Sequence, residues 1–201
     1  SMRLGINAVK DKDADACVSA GNTGALMALS KIILKTIPGI DRPAICGSLP
    51  TKTGQFHMLD LGANVECTAH HLYQFSIMGS ALVQSLELNT KPVIGLMNIG
   101  SEEFKGNETI KSAGQLIQKS NLNYAGFVEG DDIFSGKFDV IVTDGFAGNI
   151  ALKSIEGVAK VISHFIKTEF TKNIFTKLSA LISLPVMNSV KKKVDPRKYN
   201  G

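Results

Sequence analysis

Tryptophan is absent from this 201-residue sequence, cysteine occurs three times, and no apolar run reaches the roughly 18 residues that a membrane-crossing helix needs. Each scarcity removes a class of function. Aromatics make up 6% of residues and are not interleaved with the basic ones, so base stacking and nucleic-acid binding are not indicated. Cys17, Cys46 and Cys67 have no metal-ligand spacing and sit in apolar segments, where a free cysteine acts as a small hydrophobe. That usage fits a reducing, intracellular compartment, and no signal-peptide pattern is read in the first residues. No Ser/Cys–His–Asp set is indicated by spacing, and neither a metal nor a cofactor is expected.

What is present is glycine and asparagine at repeated junctions. Residues 140–143, Val-Ile-Val-Thr, have the β-branched composition of a buried strand. Asp144-Gly145 stops it, and a long helix follows, expected over 148–170. A strand turning through glycines into a helix aims unpaired N–H groups and the helix dipole at the turn, which favours an anion. The stretch Cys17-Val-Ser-Ala-Gly-Asn-Thr-Gly-Ala-Leu-Met27 repeats the construction. Neither turn fits the dinucleotide or P-loop glycine pattern. Each is also compatible with an ordinary strand-to-helix turn, where Gly and Asn serve the backbone alone.

Along the chain, residues 1–10 have the spacing of a helix tail, which points to a chain that starts inside an element. Strands are expected at 15–19, 44–48, 56–61, 93–99, 123–129 and 139–143. Helices are expected at 22–36, 68–88, 107–119 and 148–170. The helix at 22–36 should bury Ala25, Leu26, Leu29, Ile32 and Ile33, and Pro38-Gly39 should end it. Alternating strands and helices imply an open, mostly parallel α/β sheet with helices on both faces. The short turn at 50–54 makes one antiparallel pair plausible.

In such sheets ligands bind beyond the carboxyl ends of the strands. Here those ends are polar and glycine-rich: 19–24, Asp60-Leu-Gly-Ala-Asn64, Asn98-Ile-Gly-Ser-Glu102, Glu129-Gly130, and Asp144-Gly-Phe-Ala-Gly-Asn149. Turn propensity alone does not explain five at one edge, so a pocket is expected there. Lys105 follows one strand end in a charged loop and is either an anion ligand or a solvated lysine. Asn22, Asn64 and Asn149 offer amides at the rim, or satisfy their own turns. His57 lies inside a strand, and His70-His71 are adjacent on a helix and point different ways.

These blocks carry a resemblance. Residues 16–27, 58–64, 74–80 (Gln-Phe-Ser-Ile-Met-Gly-Ser), 96–103 with Lys105-Gly-Asn107, and 142–149 resemble, in order, the bacterial acyl-carrier-protein:phosphate acyltransferases of phospholipid synthesis. The resemblance implies a three-layer α/β/α sandwich similar to isocitrate and isopropylmalate dehydrogenases and to phosphotransacetylase. It implies transfer of a long-chain acyl group from the carrier-protein thioester to inorganic phosphate, in homodimers bound peripherally to the cytoplasmic membrane. Lys105, with Asn64, would be catalytic. Asn22, Thr23, Gly24, Asp60, Asn107, Asp144 and Asn149 would bind or orient phosphate and substrate. The family's N-terminal Asp-Ala-Met-Gly-Gly-Asp segment and its glycine-rich C-terminal segment have no counterpart here, so the chain reads as an internal piece of a longer protein. Residues 1–170 would be a partial catalytic core, 171–194 an amphipathic helical hairpin broken at Leu184-Pro185, and 195–201 the start of a further segment. Competing readings are a non-catalytic membrane-associated scaffold and a short-chain phosphotransacetylase-like enzyme.

Net charge is +4, with basic residues gathered at Lys191-Lys-Lys193 and Arg197-Lys198, which favours anionic partners. Ile174, Phe175, Leu178, Leu181 and Ile182 recur at helical spacing beside these lysines. That pattern suits an interfacial membrane helix or packing against a partner subunit.

Overall fold

The computed structural model describes residues 1–87 and 90–194. The elements in order are α1 (Met2–Lys10), α2 (Thr23–Ile33), β1 (Cys46–Pro50), β2 (Gln55–Leu59), α3 (Ala69–Glu87), β3 (Val93–Met97), α4 (Glu108–Gln118), β4 (Asn123–Val128), β5 (Val140–Val142), α5 (Gly145–Thr171) and α6 (Ile174–Val194). The sheet order is β1-β2-β5-β3-β4. β2, β5, β3 and β4 are parallel neighbours, and β1 pairs antiparallel with β2, Cys46 opposite Leu59. The antiparallel hairpin expected from the short link is therefore present. Thr51 closes it by accepting from the N–H groups of Thr53 and Gly54.

Side chains alternate across the strands and build two cores. Leu59, Val140 and Val142 face Leu72, Phe75 and Val83 of α3 and Ile110, Ala113 and Ile117 of α4. Phe56, Met58 and Ile141 face the other way, under Leu152 and Ile155 of α5 and the 133–138 segment. The result is the expected three layers, with α3 and α4 on one face and the first half of α5 on the other.

Three expectations change. Residues 15–19 are not a strand: they join α1 to α2 without a ladder partner, and Val18 is 93% exposed. Local β-propensity supplies no neighbouring strand, and without one the backbone has nothing to pair with. α2 packs on α1, buries none of its residues and stops at Ile33, so its apolar stripe does not face the sheet. Residues 174–194 form one helix with Pro185 inside it rather than a hairpin broken at Leu184-Pro185. The hairpin is instead made by α5 and α6, which pack on each other. Beyond the first turns of α5 this hairpin is largely exposed. The expected segment at 195–201 lies outside the described residues.

Candidate active site

The four parallel strands deliver their carboxyl ends to one edge. β2 leads into the 60–64 loop, β5 into the start of α5, β3 into the 98–107 loop, and β4 into Glu129.

The 60–64 loop is organised by Asp60, which is fully buried. Its Oδ1 accepts from the N–H groups of Ile45 (2.9 Å), Gly62 (3.2 Å) and Ala63 (3.0 Å). Its Oδ2 accepts from Asn64 N–H (2.7 Å) and Asn64 Nδ2 (2.8 Å). Five donors neutralise a carboxylate that burial would otherwise penalise. Asn64, also buried, donates its second amide proton to the carbonyl of Pro43 (2.8 Å). The carbonyl of Asn64 then accepts from Gly145 N–H at 2.8 Å, docking the loop onto the first turn of α5. That docking requires glycine. A Cβ at Gly145 would lie 2.7 Å from the Asn64 carbonyl oxygen, and one at Gly148 would overlap the carbonyl oxygen of Asp60. Gly62, at φ +128°, lets the loop turn beneath the exposed Asn149 side chain. Asp60 and Asn64 therefore shape the edge by tying the 60–64 loop to itself and to residues 43 and 45.

Three other candidates share one job. Asn22, Asn107 and Asp144 are the N-caps of α2, α4 and α5, accepting from the N–H groups of Ala25 (3.0 Å), Ile110 (2.9 Å) and Ala147 (2.8 Å). With Gly145 N–H on Asn64 and Gly148 N–H on Asp144, much of the α5 start is already engaged. Helix α5 thus begins at Gly145, three residues before the expected start, because Asp144 caps it directly. The Asn22-Thr23-Gly24 turn is exposed and belongs to the α1–α2 pair. Among the described residues no hydrogen bond links it to the sheet-end cluster.

Lys105 is a cation in the loop that follows β3. Its Nζ lies 2.8 Å from Glu102 Oε2, and its side chain is 38% exposed. The hydrogen bond it donates to Glu102 holds the Lys105 ammonium above its ordinary pKa, and Lys105 in turn holds the Glu102 carboxyl below its own. Asn98, absent from the candidate set, fixes the loop: its Nδ2 donates to the Lys105 carbonyl (3.0 Å) and its Oδ1 accepts from Ile99 N–H (2.9 Å). Glu129 ties β4 to the same loop by accepting from Ser101 N–H (2.9 Å). Position in a strand-end block marked Asn98, and i,i+3 spacing marked Glu102 as a partner for Lys105.

Burial pushes both Cys46 and Cys67 up to about 11, so neither is a thiolate at neutral pH. Beside the Asp60 loop, Arg42, Cys67, Thr68 and His71 line an open cleft of about 530 Å³. There His71 Nδ1 accepts from Thr68 N–H, and Thr68 Oγ1 accepts from His71 N–H, a reciprocal cap at the start of α3. His57 is buried, with Nδ1 2.9 Å from Ser48 Oγ. Among the described residues no group of three or more His, Cys, Asp or Glu is placed to hold a metal ion.

A sequence family described as "Fatty acid synthesis protein" matches residues 1–201. This chain belongs to that family. It is 61% identical over 201 residues to the phosphate acyltransferase of Methylococcus capsulatus, and 57% identical to that of Alkalilimnicola ehrlichii. Both matches cover all of this chain and 59% of the relative, so the chain spans about three fifths of the length of these family members. Among solved structures it is similar to the EutD phosphotransacetylase of Staphylococcus aureus (TM-score 0.61, 19% identity, 79% of this chain and 56% of that one). It is likewise similar to a phosphotransacetylase from Streptococcus pyogenes (TM-score 0.63, 18% identity, 79% and 55%). At that identity the likeness is one of fold, and it agrees with the phosphotransacetylase-like architecture expected from the sequence.

Proposed function

We propose that the protein transfers a long-chain acyl group from an acyl-carrier-protein thioester to inorganic phosphate, giving an acyl phosphate and the free carrier thiol. The observation that carries this reading is Lys105, a permanently charged ammonium set on an anchored loop at the ligand-binding edge of the sheet. The 61% identity to a phosphate acyltransferase supports the same reaction.

The chemistry asks little of the protein beyond placement. A phosphate oxygen attacks the thioester carbonyl, the carbon–sulfur bond breaks, and the thiolate departs. A thiol's pKa of about 8.5 makes that leaving group acceptable without strong acid assistance. Lys105 would hold phosphate and offset the charge developing on the carbonyl oxygen. Asn149, exposed near the start of α5 beside Gly62, would orient the acyl phosphate. Asp60, Asn64, Asn98 and the cap residues would position these groups without touching substrate, so orientation supplies the rate.

The α5–α6 hairpin supports a second element of the reading, peripheral attachment to a membrane. No helix among the described residues is long and apolar enough to cross one. Yet Phe175, Leu178, Leu181 and Ile182 are all exposed on α6, Ile182 by 83%. Apolar residues beside basic ones suit insertion into a headgroup layer. A homodimer is proposed with it.

The test mixes palmitoyl carrier protein and phosphate with the 201-residue chain. In parallel it uses a chimera in which the chain replaces the matching segment of the Methylococcus capsulatus relative. Phosphate-dependent release of carrier thiol with formation of acyl phosphate is the expected result. Thiol release independent of phosphate, or turnover of acetyl-CoA alone, would overturn it.

A further inference from the structure

The charge of Lys105 is already engaged, and the manner of its engagement is built in. The Lys105 N–H donates to the Glu102 carbonyl at 3.0 Å, closing a turn that brings the two side chains together. Their charged atoms meet at 2.8 Å. Gly100 forms the floor of the pair. A Cβ there would overlap the Lys105 stem and stand 2.8 Å from both Lys105 Nζ and Glu102 Oε2. The loop is tied at both sides, by Asn98 to the Lys105 carbonyl and by Glu129 to Ser101. Two long side chains on a free loop would pair only in passing, whereas here the backbone has placed them. Both remain more than a third exposed, so a dissolved anion can reach them.

Lysine has three N–H donors, so geometry alone would let it hold two anions. Charge does not. A phosphate within hydrogen-bond reach of Nζ would lie next to the Glu102 carboxylate, and like charges a few ångströms apart repel. On the reading that Lys105 receives phosphate, we infer that Glu102 is an internal competitor for that subsite, holding Lys105 in the phosphate-free protein and swinging aside when phosphate binds. The pair keeps the lysine extended over Gly100 and weakens the apparent phosphate affinity of the subsite.

The experiment titrates the protein with inorganic phosphate by calorimetry. An exposed ion pair is a weak restraint, so Glu102→Gln should bind phosphate about two- to fivefold more tightly than the parent chain. Glu102→Asp keeps the charge but draws it back by one methylene, and should fall between the two. A second measurement follows the Glu102 carboxyl by NMR. Lys105 holds it below the usual glutamate value, so saturating phosphate should raise its titration midpoint. A role confined to loop folding would not move that midpoint. Unchanged phosphate affinity in Glu102→Gln, with binding lost in Lys105→Ala, would overturn the competitor and leave the phosphate reading standing. Phosphate binding that survives Lys105→Ala would overturn both. A Glu102 midpoint indifferent to phosphate would overturn the competitor alone.

Discussion

Replacing Asp60 by asparagine changes one atom and should destabilise the protein severely. In the parent, Oδ1 takes three backbone N–H groups and Oδ2 takes the backbone and side-chain N–H groups of Asn64. An asparagine has one acceptor oxygen. Its better orientation keeps that oxygen toward Ile45, Gly62 and Ala63 and turns its NH2 toward two N–H groups of Asn64, donor against donor. Two charge-assisted bonds are then lost at about 1.5–3 kcal/mol each, or about 3–6 kcal/mol together. The opposite orientation strands three donors and costs more. Native domains hold only about 5–15 kcal/mol, so the loss is a large share of the total. For a chain of this length each kcal/mol moves the thermal midpoint by about 2–4 °C, which predicts a fall of roughly 6–24 °C. Circular dichroism melts measure it, and urea titration should show a lower midpoint at unchanged slope. A variant melting within about 3 °C of the parent would refute the claim that Asp60 organises the 60–64 loop, since that claim requires about 6 °C at least.

Other outcomes follow from the same geometry. Lys105→Ala should lower kcat for acyl transfer by about 10²- to 10³-fold, the usual cost of removing one preorganised charge stabiliser; full turnover would exclude its proposed role. Leu181→Glu, on the exposed face of α6, should weaken liposome binding by about ten- to a hundredfold while leaving the melting temperature near the parent's. Retained liposome binding with a changed oligomeric state would assign that face to a subunit contact instead. His71 titrates below its ordinary value of 6.5, first through burial and then through Arg42, so the unfolded chain takes up its proton before the folded one does. Its contribution is intact above the unfolded value and is lost as pH falls toward the folded one. The melting temperature of the parent should therefore drop more than that of His71→Asn between about pH 7.5 and 5.5. Equal drops would show that protonating His71 costs the folded chain no more than the unfolded one, against the lowered value.

Elements that announce themselves by composition were legible in the sequence. Val140–Val142 is a buried strand because three β-branched residues in a row suit a position covered on both faces. The hairpin of β1 and β2 was marked by a link too short for a crossover. The failures share a different cause. Residues 15–19 look like a strand by content, yet they have no ladder to join, and α2 carries an apolar stripe that packs on α1 and buries none of its residues. Pro185 should interrupt a helix, but α6 continues through it on a largely exposed helix. In each case the deciding fact is what lies alongside the segment, and no pattern within the segment encodes that.

The site divides along the same line. The edge where a site is proposed was readable because four of the five polar, glycine-rich segments do follow parallel strands, and a parallel sheet gathers such ends at one edge. The roles within it were not. Asp60 finds its donors at residues 45, 62, 63 and 64, and Asn64 meets residues 43 and 145, a set with no common spacing. Asn22, Asn107 and Asp144 stand where a phosphate ligand would stand and also where a helix cap would stand, since both need an acceptor or donor at a helix start. The hydrogen bonds show the cap in all three. Lys105, partnered by Glu102, and the exposed Asn149 are two groups at this edge that the proposed phosphate could meet. On the proposed reading, the buried carboxylate of Asp60 and the glycines at 145 and 148 act without touching substrate, by holding the 60–64 loop against the start of α5.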